Sequence, residues 1–264
     1  MKRSSGVRLC ATAAAGALSL ALVAGCSDGG SKDSGSGGSK GSGTAPKALS
    51  AAELTKLVLA EGEVPGYTVE PVKGVALLAR SAVTATDKRC EPLMHVLTGQ
   101  APVDAAAETA RSVDENRKVP SDDATSLDDM ADGKFSEQLN KSLDRSATKL
   151  NLSSYAGDGA EKALKSVSDA VRACAGGFTG EQASLKATFP KVAEERSAGT
   201  GDASVAFVVT GDSDDGDPVP VHAEVVRHGN VLASYYTLNI GAVMAKKAYA
   251  VPSAVVKAQA AKLK

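Results

Sequence analysis

VPVHAEVVRHGNVLASYYTLNI, residues 219–240, reads as two strands rich in β-branched and aromatic residues around a two-residue turn, Gly229-Asn230. Only residues that tolerate positive φ close a two-residue loop with the twist that strands require, so this pattern is a hairpin signal. The turn sets the register: His228 opposite Val231, Val226 opposite Ala233, Glu224 opposite Tyr235 and His222 opposite Thr237. A side-chain period of two then puts Val221, Ala223 and Val225 with Leu232, Tyr236 and Leu238 on a core-facing side. The other side carries His222, Glu224 and His228 with Tyr235 and Thr237 and reads as polar.

Working outward, Val205, Phe207 and Val209 alternate within Ser204–Thr210, a third strand that makes the C-terminal part a meander. A last helix begins near Pro252 and packs Val255, Val256, Ala260 and Leu263. The clearest helix is 159–175, where Ala160, Ala163, Leu164, Val167, Ala170, Val171 and Cys174 form one stripe. Asp158 stands at its start as a candidate cap, and Gly176-Gly177 stops it. Cys90, Leu93, Met94 and Leu97 define a shorter helix with Pro92 in its first turn. Ser50-Ala51-Ala52-Glu53 has capping-box spacing and opens a first helix reaching about Glu61, followed by a short strand at 67–70. Ser146 enters a strand ending near Tyr155. The expected fold class is α+β: an antiparallel sheet with a C-terminal meander, packed by several helices, as one domain over residues 48–264.

The N-terminus reads as an address. Lys2, Arg3 and Arg8 precede an apolar run from Leu9 to Val23, shorter than the ~20 residues of a spanning helix but suited to a secretory signal. The run ends in Leu22-Val23-Ala24-Gly25-Cys26, which resembles the bacterial lipobox. That resemblance implies a signal peptide over 1–25 and Cys26 as a lipid-bearing first residue, palmitate among its chains. Ser27–Thr44 contains 7 Gly and 6 Ser among 18 residues and no bulky apolar side chain. Residues 26–47 are therefore expected to be a lipidated, flexible tether, the 18-residue stretch alone having a reach of about 24 Å.

Of the four cysteines, Cys10 falls in the signal and Cys26 takes the lipid, leaving Cys90 and Cys174 in the fold. Each lies on the apolar face of its helix, and export places them in an oxidising space, so a helix–helix disulfide is expected over two free buried thiols. Two thiols without a CxxC or a histidine partner make no zinc geometry.

Composition excludes more than it identifies. The chain is 43% hydrophobic and 23% charged, with 30 basic and 31 acidic residues. That is globular composition, with no electrostatic reason to bind nucleic acid. An aromatic share of 3% and the absence of Trp argue against aromatic cages. Without residues 1–25 the balance is 27 basic against 31 acidic, so the lipid rather than charge is expected to hold the protein on the membrane.

The order of lipobox, tether, first Cys helix, strands, second Cys helix and hairpin resembles actinobacterial cell-surface lipoproteins. The Ala-Val-Arg-Ala-Cys174 helix end and the hairpin from Val225 to Tyr236 resemble the extracellular sensor domain of PknH-type receptor Ser/Thr kinases. That resemblance implies an antiparallel sheet with helices around a cleft, usually with two disulfides and several Trp. This chain offers one cysteine pair and no Trp.

Motifs that could carry chemistry are few. Of the three histidines, His222 beside Glu224 and Tyr235 is the best acid/base constellation, the alternative being an ordinary polar strand face. His222 and His228 share that face but lie six residues apart, ~20 Å at strand rise, too far for one metal. His95 is expected on a helix surface. Ser146-Ala147-Thr148-Lys149 matches S-x-x-K without a following K-T-G, and Gly37-Gly38-Ser39-Lys40-Gly41 matches G-x-S-x-G inside the tether; both read as chance. Asp212, Asp214, Asp215 and Asp217 form a weak calcium candidate, the alternative being a solvated acidic turn. The acidic run Asp122, Asp123, Asp128, Asp129 and Asp132 reads as a solvated loop.

The expectation is a non-enzymatic binding or sensing lipoprotein on the outer face of a cell membrane, with no cofactor and no resident metal. Its partner would be an envelope protein or a small apolar ligand, besides the membrane itself. A cell-envelope enzyme without a local motif and a partner-docking accessory protein are the alternatives.

Overall fold

The computed structural model describes residues 46–72, 79–116, 142–212 and 217–264, all within the compact unit Gly43–Lys264. Cys26, Asp214, Asp215 and the acidic run 122–132 lie outside these residues.

Among the described residues ten strands form two antiparallel sheets: β1 (Tyr67–Pro71), β2 (Val83–Ala85), β3 (Ala107–Glu115), β4 (Ala147–Ser154), β5 (Phe178–Gln182), β6 (Leu185–Phe189), β7 (Lys191–Glu195), β8 (Ala203–Asp212), β9 (Pro218–His228) and β10 (Val231–Leu238). The large sheet runs β1-β3-β4-β10-β9-β8-β7 and the small one β2-β5-β6. The hairpin register is the expected one, with His228 opposite Val231 and Glu224 opposite Tyr235. β8, β9 and β10 are sequential neighbours, so the meander stands. The fold is α+β.

Among the described residues five α-helices pack on this frame: α1 (Ala51–Leu57), α2 (Glu91–Leu97), α3 (Gly159–Ala173), α4 (Ile240–Met244) and α5 (Ser253–Lys262). α1 opens with the full Ser50–Glu53 capping box but stops at Leu57, short of Glu61. Gln259, fully buried on α5, accounts for that stop: its amide donates to Leu57 O at 2.8 Å and accepts from Leu59 N at 2.9 Å. The end of α1 thus finds its partners on α5 rather than in another helical turn. Asp158 does not cap α3 with its side chain; it pairs with Lys162 at 2.9 Å instead.

The expected polar face of the hairpin is a second core. Val226, Val231, Ala233 and Tyr235 pack with Leu150, Leu152 and Val113 against Leu54 and Val58 of the α1 segment and Val255 and Val256 of α5. Period-two alternation predicts which residues share a face, not whether that face is later covered, and here the two terminal helices cover it. The opposite face holds the first core, where α2 and α3 meet Phe207, Ala223, Val225 and Leu232.

Cys90, at the end of a short 3-10 turn leading into α2, is bonded to Cys174, the C-cap of α3. Their Cα atoms are 6.0 Å apart, and both residues are buried in the first core. The staple holds α2 against α3, and thereby the C-terminal end of α2 against the sheet.

Candidate functional site

On the α2 face of the sheet, alternation along β4 points Lys149, Asn151 and Ser153 away from the second core, while Leu150 and Leu152 enter it. The β3–β4 and β4–β10 registers place Ser112 and Tyr236 either side of Lys149, and Ala110 and Ser234 either side of Asn151. These positions meet the end of α2, where Gly99, at φ +75°, turns the chain back over the sheet. The result is a cleft of about 270 Å³ lined by Leu97, Gln100, Glu108, Lys149, Asn151 and Tyr236, with Arg80 and Gln182 also contributing.

The polar groups in the cleft form one network. The Asn151 Nδ2 donates to Gly99 O at 3.1 Å and to Glu108 Oε2 at 2.9 Å. Ala101 N donates to the same carboxylate oxygen at 2.9 Å. Both amide hydrogens face acceptors, which fixes the amide orientation. Asn151 Oδ1 is left buried without a hydrogen-bond partner, although the residue is only 2% exposed. Lys149 Nζ donates to Ser112 Oγ at 2.8 Å, which donates onward to Asp114 Oδ2 at 2.7 Å. Burial, and secondarily the charge of Asp114, push the Tyr236 phenol up to about 12, so it stays neutral.

Arg80 borders the cleft with most of its donors engaged. It donates to Ala101 O at 2.6 Å, to Pro102 O at 3.0 Å and to His95 Nδ1 at 2.8 Å, and it pairs with the exposed Asp104 at 2.9 Å. His95 is therefore buried, not a surface group of its helix as expected. Burial and the adjacent Arg80 lower its pKa, against the opposing pull of the Pro102 and Val83 backbones. Arginine only donates, so the neutral imidazole accepts from it at Nδ1, and Pro102 O, 3.2 Å from that nitrogen, takes its hydrogen bond from Arg80 instead. The work of the ring is to tie the 80–83 segment to α2.

The other sequence candidates fall elsewhere. His222, Glu224 and Tyr235 lie on the face covered by α1 and α5. His222 Nδ1 is 2.8 Å from Glu195 Oε2 and its ring packs edge-on to Tyr249. Glu224 accepts from Ala198 N at 2.8 Å, and burial raises its pKa. Tyr235 is fully buried, with its hydroxyl unpartnered, and burial then Glu224 raise its pKa. None of the three lines the cleft beside Lys149. Ser146 and Lys149 fall on opposite sides of the strand ladder, whereas S-x-x-K chemistry needs both on one helical face. Asp217 lies 3.6 Å from Lys246, and among the described residues no cluster of three or more His, Cys, Asp or Glu could hold a metal ion.

Of the cleft residues the sequence marks Lys149 only through the chance S-x-x-K match and Tyr236 only as a core-facing residue, while Gly99, Glu108 and Asn151 belong to no motif. One signal was available: Lys149, Asn151 and Ser153 alternate with Leu150 and Leu152, a polar stripe on a strand that has an apolar one behind it.

The fold is similar to that of the extracellular domain of PknH from Mycobacterium tuberculosis. The TM-score is 0.50 at 14% identity, over 82% of this chain and 95% of that one. At that identity the likeness establishes architecture alone. No protein-family model matches the chain, and no curated protein matches it.

Proposed function

We propose that this chain is a lipid-anchored module on the outer face of a cell membrane that binds a small polar molecule in the Lys149–Asn151 cleft. The observation that carries the reading is Asn151 Oδ1, a buried acceptor whose amide is locked by Gly99 and Glu108 and which lacks a partner. Buried acceptors are ordinarily satisfied, so a ligand N–H or O–H belongs there. Lys149 retains donor capacity for an anionic or hydroxyl oxygen of the same ligand, and the Tyr236 ring offers an apolar surface beside it. This lining favours a polar ligand over the apolar one expected from sequence. The likeness to an extracellular domain supports an extracytoplasmic position, and the Cys26 lipobox supports the anchor. Binding is favoured over catalysis because His95, close behind the cleft, has its ring tied to Arg80 and the backbone.

The test is a thermal-shift and calorimetric screen of the full chain against amino acids and monosaccharides. A hit should be lost in Lys149→Ala and Asn151→Leu, while Lys162→Ala, on the exposed side of α3, binds normally. Hits that survive both cleft substitutions overturn the site. For the anchor, Cys26→Ala should move the protein from the detergent phase to the aqueous phase, and a wild type of unlipidated mass refutes it.

A further inference from the structure

A second cavity, of about 540 Å³, opens at the far end of the β9–β10 hairpin between residues 199–202, the turn at His228-Gly229 and α5. It shares no lining residue with the cleft. The 199–202 segment is held to the hairpin by backbone and carboxylate together. Asp202 N donates to Arg227 O at 2.8 Å, and Asp202 Oδ2 accepts from Gly229 N at 2.7 Å. Arg227 lies 3.3 Å from that same oxygen, so the one carboxylate in the lining is occupied on that side. Gly201 must be glycine: its φ is +71°, and a Cβ there would run into Arg227 O and Val226.

Two polar atoms of the lining, Thr200 Oγ1 and His228 Nε2, are buried without a hydrogen-bond partner. Lys257 and Lys264 line the same cavity from α5 and the residues after it. A hydroxyl, an imidazole able to carry its proton on Nε2, and two lysines make a donor set whose chemistry suits an anion with several oxygens. A single lone-pair acceptor would satisfy only one of the two buried atoms, whereas a tetrahedral oxyanion has an oxygen to offer each of them and the lysines as well. The cavity exceeds a bare tetraoxyanion, which leaves room for an ester substituent.

We propose that this cavity is a binding site for a phosphate group, separate from the cleft. Its position suits either a soluble phosphate ester or a lipid headgroup. Asn230, next to Gly229 in the turn, donates to Lys47 O at 2.8 Å, so residue 47 of the domain lies at the same hairpin turn as this cavity. The lipid source alone rests on the proposed anchor; the anion site does not.

The chain has three histidines, so their imidazole Cε1–H resonances can be separated in a proton spectrum and assigned with His95→Asn and His222→Gln. Titration of the full chain with inorganic phosphate should shift the His228 resonance selectively and raise its apparent pKa. Thr200→Val and Lys257→Ala should each weaken that response about tenfold. Lys257 is exposed, so its variant keeps the fold. Vesicles of phosphatidylglycerol, compared with phosphatidylcholine, separate the sources. Selective broadening of His228 by the anionic vesicles assigns a lipid headgroup, and a response to inorganic phosphate alone assigns a soluble ester. No selective His228 response to either probe overturns the proposal. So does a response matched by chloride at equal ionic strength, or one unchanged in Lys257→Ala.

Discussion

Asn151 and Glu108 are joined by a 2.9 Å hydrogen bond from the amide Nδ2 to carboxylate Oε2, and this bond fixes which way the floor of the cleft presents its chemistry. Asn151→Asp, nearly isosteric, replaces both donated hydrogens with an oxygen facing Glu108 and Gly99 O. It should cost about 1.5–3 kcal/mol at neutral pH, the range for a hydrogen bond to a charged group. The loss should shrink on acidification, because a proton shared between the two juxtaposed carboxyls donates again. Urea midpoints at pH 7 and pH 3.5 measure this, and an equal loss at both would contradict the network.

Gly180 of β5 lies directly under Met94 of α2: a Cβ added there would overlap the thioether. Gly180→Val should cost about 1–3 kcal/mol through overpacking and push α2 outward. The cleft would feel this, because Leu97 to Gln100 line it from the end of that helix. Combining Gly180→Val with Met94→Ala should restore part of the stability, so the pair is strongly non-additive in a double-mutant cycle. Simple additivity would mean that the two residues do not press on one another.

The disulfide should be the largest single contributor to stability. It spans 84 residues of sequence, and chain-entropy reasoning puts its contribution at up to roughly 4 kcal/mol. Cys90→Ala with Cys174→Ala should lower the urea midpoint accordingly. Peptide mapping of the exported protein without reductant should recover the two cysteine peptides linked. Free thiols at both positions would refute the bond.

Acid should weaken the fold through His95. Burial, then Arg80, hold its pKa below the ordinary imidazole value. As pH falls, the unfolded chain therefore takes up this proton before the folded one does. The stability it contributes is complete above about pH 6.5 and is lost as pH falls through the depressed folded value. His95→Asn keeps an acceptor for Arg80 but cannot be charged, so the slope of melting temperature between pH 6.5 and 5 should flatten. Burial lowers the pKa of His228 as well, and that residue leaves a residual slope of the same sign. An unchanged slope in His95→Asn would remove His95 from the account.

The sequence by itself determined what local rules govern. A two-residue Gly229-Asn230 turn admits one pairing, so the β9–β10 register was legible down to Glu224 opposite Tyr235. The α3 stripe was equally legible, because a 3.6-residue period over four turns has no strand reading. Cys90 and Cys174 paired by elimination. Strands β2, β3, β5, β6 and β7 carry no such signal: β6 is exposed or half-exposed along its length, and most of β3 is only partly buried, so neither shows the alternation of a half-buried strand. Tertiary structure alone decided the rest. Whether a sheet face is solvated depends on which distant helices settle on it, and α1 and α5, from opposite ends of the domain, turned an expected polar face into core. The cleft draws Arg80, Gly99, Glu108, Lys149, Gln182 and Tyr236 from separate elements. The Asn151 Oδ1 is left as an unpartnered acceptor because Gly99 and Glu108, 52 and 43 residues away in sequence, take both hydrogens of its amide.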